Sequence, residues 1–270
     1  MRKITCITSF NEKYFNHTGR LFLETWLKHW QPPFELTIYV EDFSLSENDR
    51  YKQITFDNLD PDYNVFQKEK HKDATRRFAK KGYSVIHAME NIDTDILIWL
   101  DADTVSKEKM TFDFLEDIIP NSCVSAHLGV MHNIKKHDPN SPLKYSCETG
   151  FFALNKKHKL FPTFLEKYKN RYLQRNFDDL RRPYDGDVYG AVVEEIQEKF
   201  GNTVLNDINP VGHKTPFDKC ILREKLHHFK HRAKLTPQDD FRSHYENYLE
   251  KLKLKEERAR LKALKKSGQL

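Results

Sequence analysis

Five apolar residues, Ile96-Leu97-Ile98-Trp99-Leu100, run without a break into Asp101-Ala102-Asp103-Thr104. A run with no polar alternation predicts a strand buried on both faces, the kind found in the middle of a parallel sheet with helices above and below. The two carboxylates, one residue apart, then mark where that strand leaves the core, and in open α/β sheets the carboxyl edge is where ligands sit. Held by a rigid strand, Asp101 and Asp103 offer oxygens to a hard divalent cation such as Mg2+ or Mn2+, and an ion there would in turn hold a diphosphate.

The surroundings agree with an α/β domain. With 270 residues and 38% hydrophobic content the chain is long enough for a substantial core. The segment Lys3 to Ser9 predicts a first strand and Leu21 to Trp30 a helix that stops at Pro32-Pro33. Leu36 to Val40 predicts a second strand, so the opening is a β-α-β unit with a right-handed crossover. Its first loop lacks G-x-G-x-x-G, which argues against NAD or FAD. Phe43 to Tyr63 reads as an irregular excursion, and a helix is predicted from about Lys68 to Glu90 with Ala74, Phe78, Val85 and Met89 inward. Arg77 and Lys81 lie four apart on that helix.

Downstream, Thr111 to Ile119 predicts a short helix and Cys123 to Leu128 a strand. Tyr145 to Asn155 reads as two strands around a turn at Gly150, Phe161 to Leu173 as an amphipathic helix, and Val204-Leu205-Asn206 as a last strand. Asp187 falls near the start of another helix, where an acid ordinarily caps free N–H groups. The segment His227 to Lys234 gathers three imidazoles and three fixed cations, groups suited to metal ions and phosphate oxygens.

Charge is unevenly placed. Of the formal +5, a net four comes from Glu246 to Leu270, where eight Lys and Arg face four Glu. We therefore expect a catalytic domain over residues 1–236 and a basic helical tail over 237–270. Cys6, Cys123, Cys147 and Cys220 show no paired spacing, which indicates neither a zinc site nor a disulfide framework and fits a reducing compartment. The start of the chain has no apolar run of signal-peptide length and no segment is long enough to span a bilayer, so a cytoplasmic location is expected.

The basic helix, the strand with Asp-x-Asp, the glycine turn followed by an acidic helix start, and the late His/Lys cluster stand in one order. Together they resemble the GT-A fold glycosyltransferases over roughly residues 1–235. The resemblance implies a mostly parallel, Rossmann-like mixed sheet flanked by helices, and transfer of a hexose or pentose from a nucleotide-diphosphate sugar to a hydroxyl acceptor. It implies that Mn2+ or Mg2+ is held by Asp101, Asp103 and His228, and that the donor is contacted by Arg77, Lys81, Asp101, Gly150, Lys230 and Lys234. Asp187 falls where inverting members carry the general base. A glycine expected near His231 is absent, which leaves His227 and His231 open beside His228. A polyanionic acceptor, DNA with hydroxymethylated bases or an acidic glycan, would suit the tail. Two alternatives stand beside this reading. Asp101-Ala102-Asp103-Thr104-Val105 also meets the D-x-D-x-[TV] pattern of haloacid-dehalogenase-type phosphatases, and the tail alone could serve a non-enzymatic nucleic-acid-binding protein.

Overall fold

The computed structural model describes residues 2–130, 146–180, 182–209 and 216–229, with scattered helical positions from Glu246 to Lys265. The division at residue 237 and most of the predicted tail lie outside the described residues.

A seven-stranded sheet forms the centre, in the order β3-β2-β1-β4-β7-β6-β8. Strands β1 (Ile4–Phe10), β2 (Glu35–Val40), β3 (Tyr51–Thr55) and β4 (Ile96–Leu100) run parallel. Strand β7 (Phe151–Asn155) is antiparallel to β4 and to β6 (Ser125–His127), and β6 pairs parallel with β8 (Leu205–Asp207). The five apolar residues of β4 are all buried because both of its faces are covered. Alternation splits them. Ile96, Ile98 and Leu100 join the core built on Trp26 of helix α1 (Arg20–His29) and Trp30 just beyond its end, whereas Leu97 and Trp99 join the core on the opposite face.

The excursion expected over Phe43 to Tyr63 is instead structured: it carries β3 and the start of helix α2 (Pro61–Lys68). Strand β3 is a polar edge strand, Tyr51-Lys52-Gln53-Ile54-Thr55, with no apolar run to announce it, and it exists because β2 offers it a full ladder. The single helix expected from Lys68 is also corrected. The chain is extended at Glu69, and helix α3 begins at Asp73 and ends at Asn91. Its inward face is turned relative to the expectation: Ala79, Tyr83, Val85, Ile86 and Met89 are buried, while Ala74 and Phe78 are partly exposed.

Gly82 explains a feature that reads as a weakness in an isolated helix. A Cβ at this position would sit 2.1 Å from Cζ of Tyr172, on helix α5 (Phe161–Leu173), so the glycine lets the two helices close. Alanine normally favours a helix over glycine by about 1 kcal/mol. Here Gly82→Ala is expected to destabilise by about 1–3 kcal/mol, because a fully buried ring must move; a chemical-denaturation midpoint at or above wild type would show that Tyr172 yields freely.

Further helices are α4 (Phe112–Ile118), capped by Thr111, and α6 (Asp185–Phe200), with a short α7 (Pro216–Lys219). Strands β5 (Thr104–Ser106) and β9 (Leu226–His228) form a separate antiparallel pair. This small ribbon joins residues more than 120 positions apart in the chain, Thr104 opposite His228, at the carboxyl end of β4.

Candidate active site

Strand β4 ends at Leu100, and the chain turns at once. The Asp101 N–H donates to the Gly150 carbonyl at 3.0 Å, and the Asp101 carbonyl accepts from Thr104 N–H at 2.9 Å. The turn projects Asp101 and Asp103 from the sheet edge. The β5–β9 ribbon then brings His228 back to the same point, and Phe229 N–H donates to the Asp103 carbonyl at 3.1 Å, which pins the two segments together.

His228 Nε2 lies 3.0 Å from Asp103 Oδ1 and 3.9 Å from Asp101 Oδ2. Burial opposes charge on both groups. It is outweighed by their mutual attraction, so the imidazole is raised and the Asp103 carboxyl lowered from their ordinary values. Phe217 packs on the imidazole with ring centroids 4.7 Å apart. Gly150 matters by what it lacks: a Cβ there would stand 2.7 Å from His228 Cε1. Strand alternation sends His227 the other way, where its ring meets Phe229 edge-on at 4.4 Å. Of the candidate histidines within the described residues, His228 is the one that faces the acids; His231, Lys230 and Lys234 lie outside the described residues.

Two carboxylates and one imidazole suit a hard divalent cation. The candidate ligand atoms of Asp101, Asp103 and His228 all lie within 4.8 Å of one another. An ion with ligand distances of roughly 2.1 Å places opposed ligands about 4.2 Å apart, so the set fits with a small closure.

Lys81 is drawn into the same site. It is 8% exposed, and its ammonium reaches Asp101 Oδ1 at 2.7 Å, Asp185 Oδ2 at 2.9 Å and the Thr149 carbonyl at 2.5 Å. An ammonium has three protons, and all three are spent. Burial by itself would lower its pKa; the Asp101 and Asp185 charges outweigh burial and raise it. Asp185, at the first position of α6, also accepts from Thr149 Oγ1 at 2.6 Å. Its carboxyl is lowered for the matching reason, burial being outweighed by Lys81 and Thr149.

Asp187 lies in the first turn of α6, at the helix start where it was expected. It is 2% exposed, with Oδ1 accepting from Ser146 Oγ at 2.7 Å and Arg182 Nε 3.8 Å from Oδ2. The N-cap position of α6 is Tyr184, so Asp187 is a first-turn acid rather than the cap. The acid of this helix start that is linked to Asp101, through the Lys81 ammonium, is Asp185, which sequence reasoning passed over. Every residue of α6 from Asp187 to Val193 is buried, so helical periodicity gives no means of choosing between the two acids. Arg77 is exposed and stacks on Phe78, its Cζ 5.1 Å from the ring centroid. Phe78 in turn meets Tyr184, and Arg182 covers the far ring, giving a partly exposed aromatic pair between two guanidiniums one turn of α3 from Lys81.

A solved structure similar to this chain is that of the galactosyltransferase LgtC in complex with donor and acceptor sugar analogs. The match has a TM-score of 0.50 and 14% identity, over 75% of this chain and 72% of that one. The chain has the GT-A fold. At this identity the likeness is one of fold, which sets aside the phosphatase topology expected as an alternative. Mouse xyloside xylosyltransferase 1 aligns with 14% identity over 76% of this chain and 84% of its own, at a TM-score of 0.47. The bifunctional glycosyltransferase WbbM aligns with 15% identity over 76% of this chain, also at 0.47, and the chain spans only 38% of its length. Neither family models nor curated proteins give any match. Within the GT-A frame, Asp101 and Asp103 end the central strand and His228 arrives on the ribbon.

Proposed function

We propose that the chain is a glycosyltransferase that binds a nucleoside-diphosphate sugar through a divalent cation and passes the sugar to a hydroxyl group. The observation that carries this is the convergence of Asp101, Asp103 and His228 at the carboxyl edge of a GT-A sheet. An imidazole among the ligands favours Mn2+ over Mg2+. When bound, the cation supplies positive charge where negative charge builds on the departing diphosphate.

The protein's own groups do the rest by position. Asp101, Asp103 and His228 hold the ion; Lys81 ties the metal motif to the start of α6; Gly150 keeps the floor of the site free of a side chain. Asp185 remains within the same cluster and is suited to accept a sugar hydroxyl, while Asp187, turned inward onto Ser146, serves to hold residues 146–150 against α6. In the proposal Lys230 and Lys234 remain the diphosphate cations. Residues 237–270 are kept as a separate basic tail. Arg77 and Arg182 support an acceptor that carries negative charge, because the two guanidiniums, lying over the Phe78–Tyr184 pair, present donors suited to anionic groups.

A thermal-shift panel of nucleoside diphosphates and nucleotide sugars, run with Mn2+ and with EDTA, tests the reading. A ligand at about 100 times its dissociation constant adds about 2.7 kcal/mol of stability. At least one nucleotide should raise the melting temperature with Mn2+ and lose that effect in EDTA. Equal shifts in both, for every nucleotide that binds, would remove the metal from the proposal; no shift from any would remove the donor.

A further inference from the structure

Asp101 has two carboxylate oxygens, and the protein treats them differently. Oδ1 accepts twice, from Lys81 Nζ at 2.7 Å and from the indole Nε1 of Trp99 at 2.7 Å. Oδ2 is the oxygen turned towards His228, 3.9 Å from its Nε2. A carboxylate on a strand end swings about its Cβ–Cγ bond, and two donors on one oxygen remove that swing. The donors are themselves fixed. Trp99 is buried and stacks on Phe152, ring planes 10° apart, and the Lys81 ammonium sits 4.9 Å from the Trp99 ring centroid, so cation, ring and carboxylate form one packed unit. Lys81 cannot leave this unit for a ligand without deserting Asp185 and Thr149 as well.

We infer that Trp99 and Lys81 are positioning residues for the metal site: together they hold Asp101 Oδ1 so that Oδ2 faces the cation. The inference rests on the metal-dependent donor reading above. A buried indole N–H needs some acceptor in any fold. What distinguishes positioning from mere satisfaction is that the acceptor is a ligand atom's partner oxygen. Groups that orient a metal ligand from behind typically change metal affinity when removed, without changing the ligand set.

The decisive variant is Trp99→Phe, which keeps a ring against Phe152 and deletes the N–H. Mn2+ alone, titrated calorimetrically and by loss of the free-ion EPR signal, should bind about 10–100-fold more weakly to the variant than to wild type. A folded variant whose Mn2+ affinity stays within about twofold of wild type would overturn the inference. The wild-type protein provides a second readout should the variant fail to fold. The chain has three tryptophans, and on titration with diamagnetic Mg2+ the 15N-labelled indole N–H of Trp99 should shift further than those of Trp26 and Trp30, which lie in the core on the other face of the sheet. An unmoved Trp99 resonance at Mg2+ saturation would overturn it equally. Failure of the underlying reading looks different: wild type and Asp103→Ala would then bind Mn2+ equally or not at all.

Discussion

Asp103→Ala should abolish Mn2+-dependent nucleotide binding while leaving a folded protein. Removing a group that only orients a ligand costs about 10–100-fold in metal affinity, and in the proposed site Asp103 supplies a ligand atom itself, so its loss should exceed that range. Stability should fall by only about 1–2 kcal/mol. The side chain is partly exposed, and its buried partner His228 can lose its proton and remain neutral when the carboxylate is gone. What holds the segment is backbone: Asp103 accepts from Phe229 N–H, and β5 pairs with β9, and neither needs a carboxylate. Calorimetry of the best nucleotide from the panel, with Mn2+, checks the first half, and chemical denaturation the second. Binding reduced less than tenfold would mean that Asp103 is no ligand; a loss of stability beyond about 4 kcal/mol would mean that the turn depends on its side chain.

Lys81→Met should be the most damaging single substitution in the site, by about 3–5 kcal/mol of stability. Methionine fills the space of the lysine stem, so the loss is chiefly electrostatic. Deleting the ammonium leaves Asp101 and Asp185 sharing a largely buried space with no cation between them and strands the Thr149 carbonyl. The size of the effect is set by what is left behind, because breaking a buried pair costs more than the pair contributes. Adding Asp185→Asn should therefore return part of the loss, since it removes one of the two like charges; the coupling between the two substitutions, read from a double-mutant cycle, should be well above about 0.5 kcal/mol. A single variant within about 1 kcal/mol of wild type would place Lys81 among solvated surface lysines, whose pairs contribute that little.

These two residues also show how unevenly the site is written in the chain. Asp101 and Asp103 are legible because a continuous apolar run can end in one way only in a sheet covered on both sides. Lys81 was legible as a basic residue on the helix before that strand, but its role was not. A lysine with all three protons engaged and a lysine reaching for a phosphate have the same local sequence, and only the arrival of Asp185 and Thr149 separates them. The same holds for the phase of α3: Ala74 and Phe78 fit an apolar stripe, yet the helix is buried around Ala79, Gly82 and Tyr83 because α5 and α6 both pack on it.

By itself the sequence determined the elements whose signal lies in a short run of consecutive residues. These are the β-α-β opening, the buried strand β4 with its acids, the short helix α4, the amphipathic α5, and the residue types of a candidate metal site, since apolar periodicity and chain-stop chemistry are properties of a few consecutive residues. Tertiary structure alone decided what depends on residues far apart. The edge strand β3 exists through its ladder with β2, His228 is chosen over His227 by its register opposite Thr104, and Asp185 rather than Asp187 faces Lys81 through the packing of α6 on α3. In each of these cases the local alternatives are nearly equal in energy, and a partner distant in the chain breaks the tie.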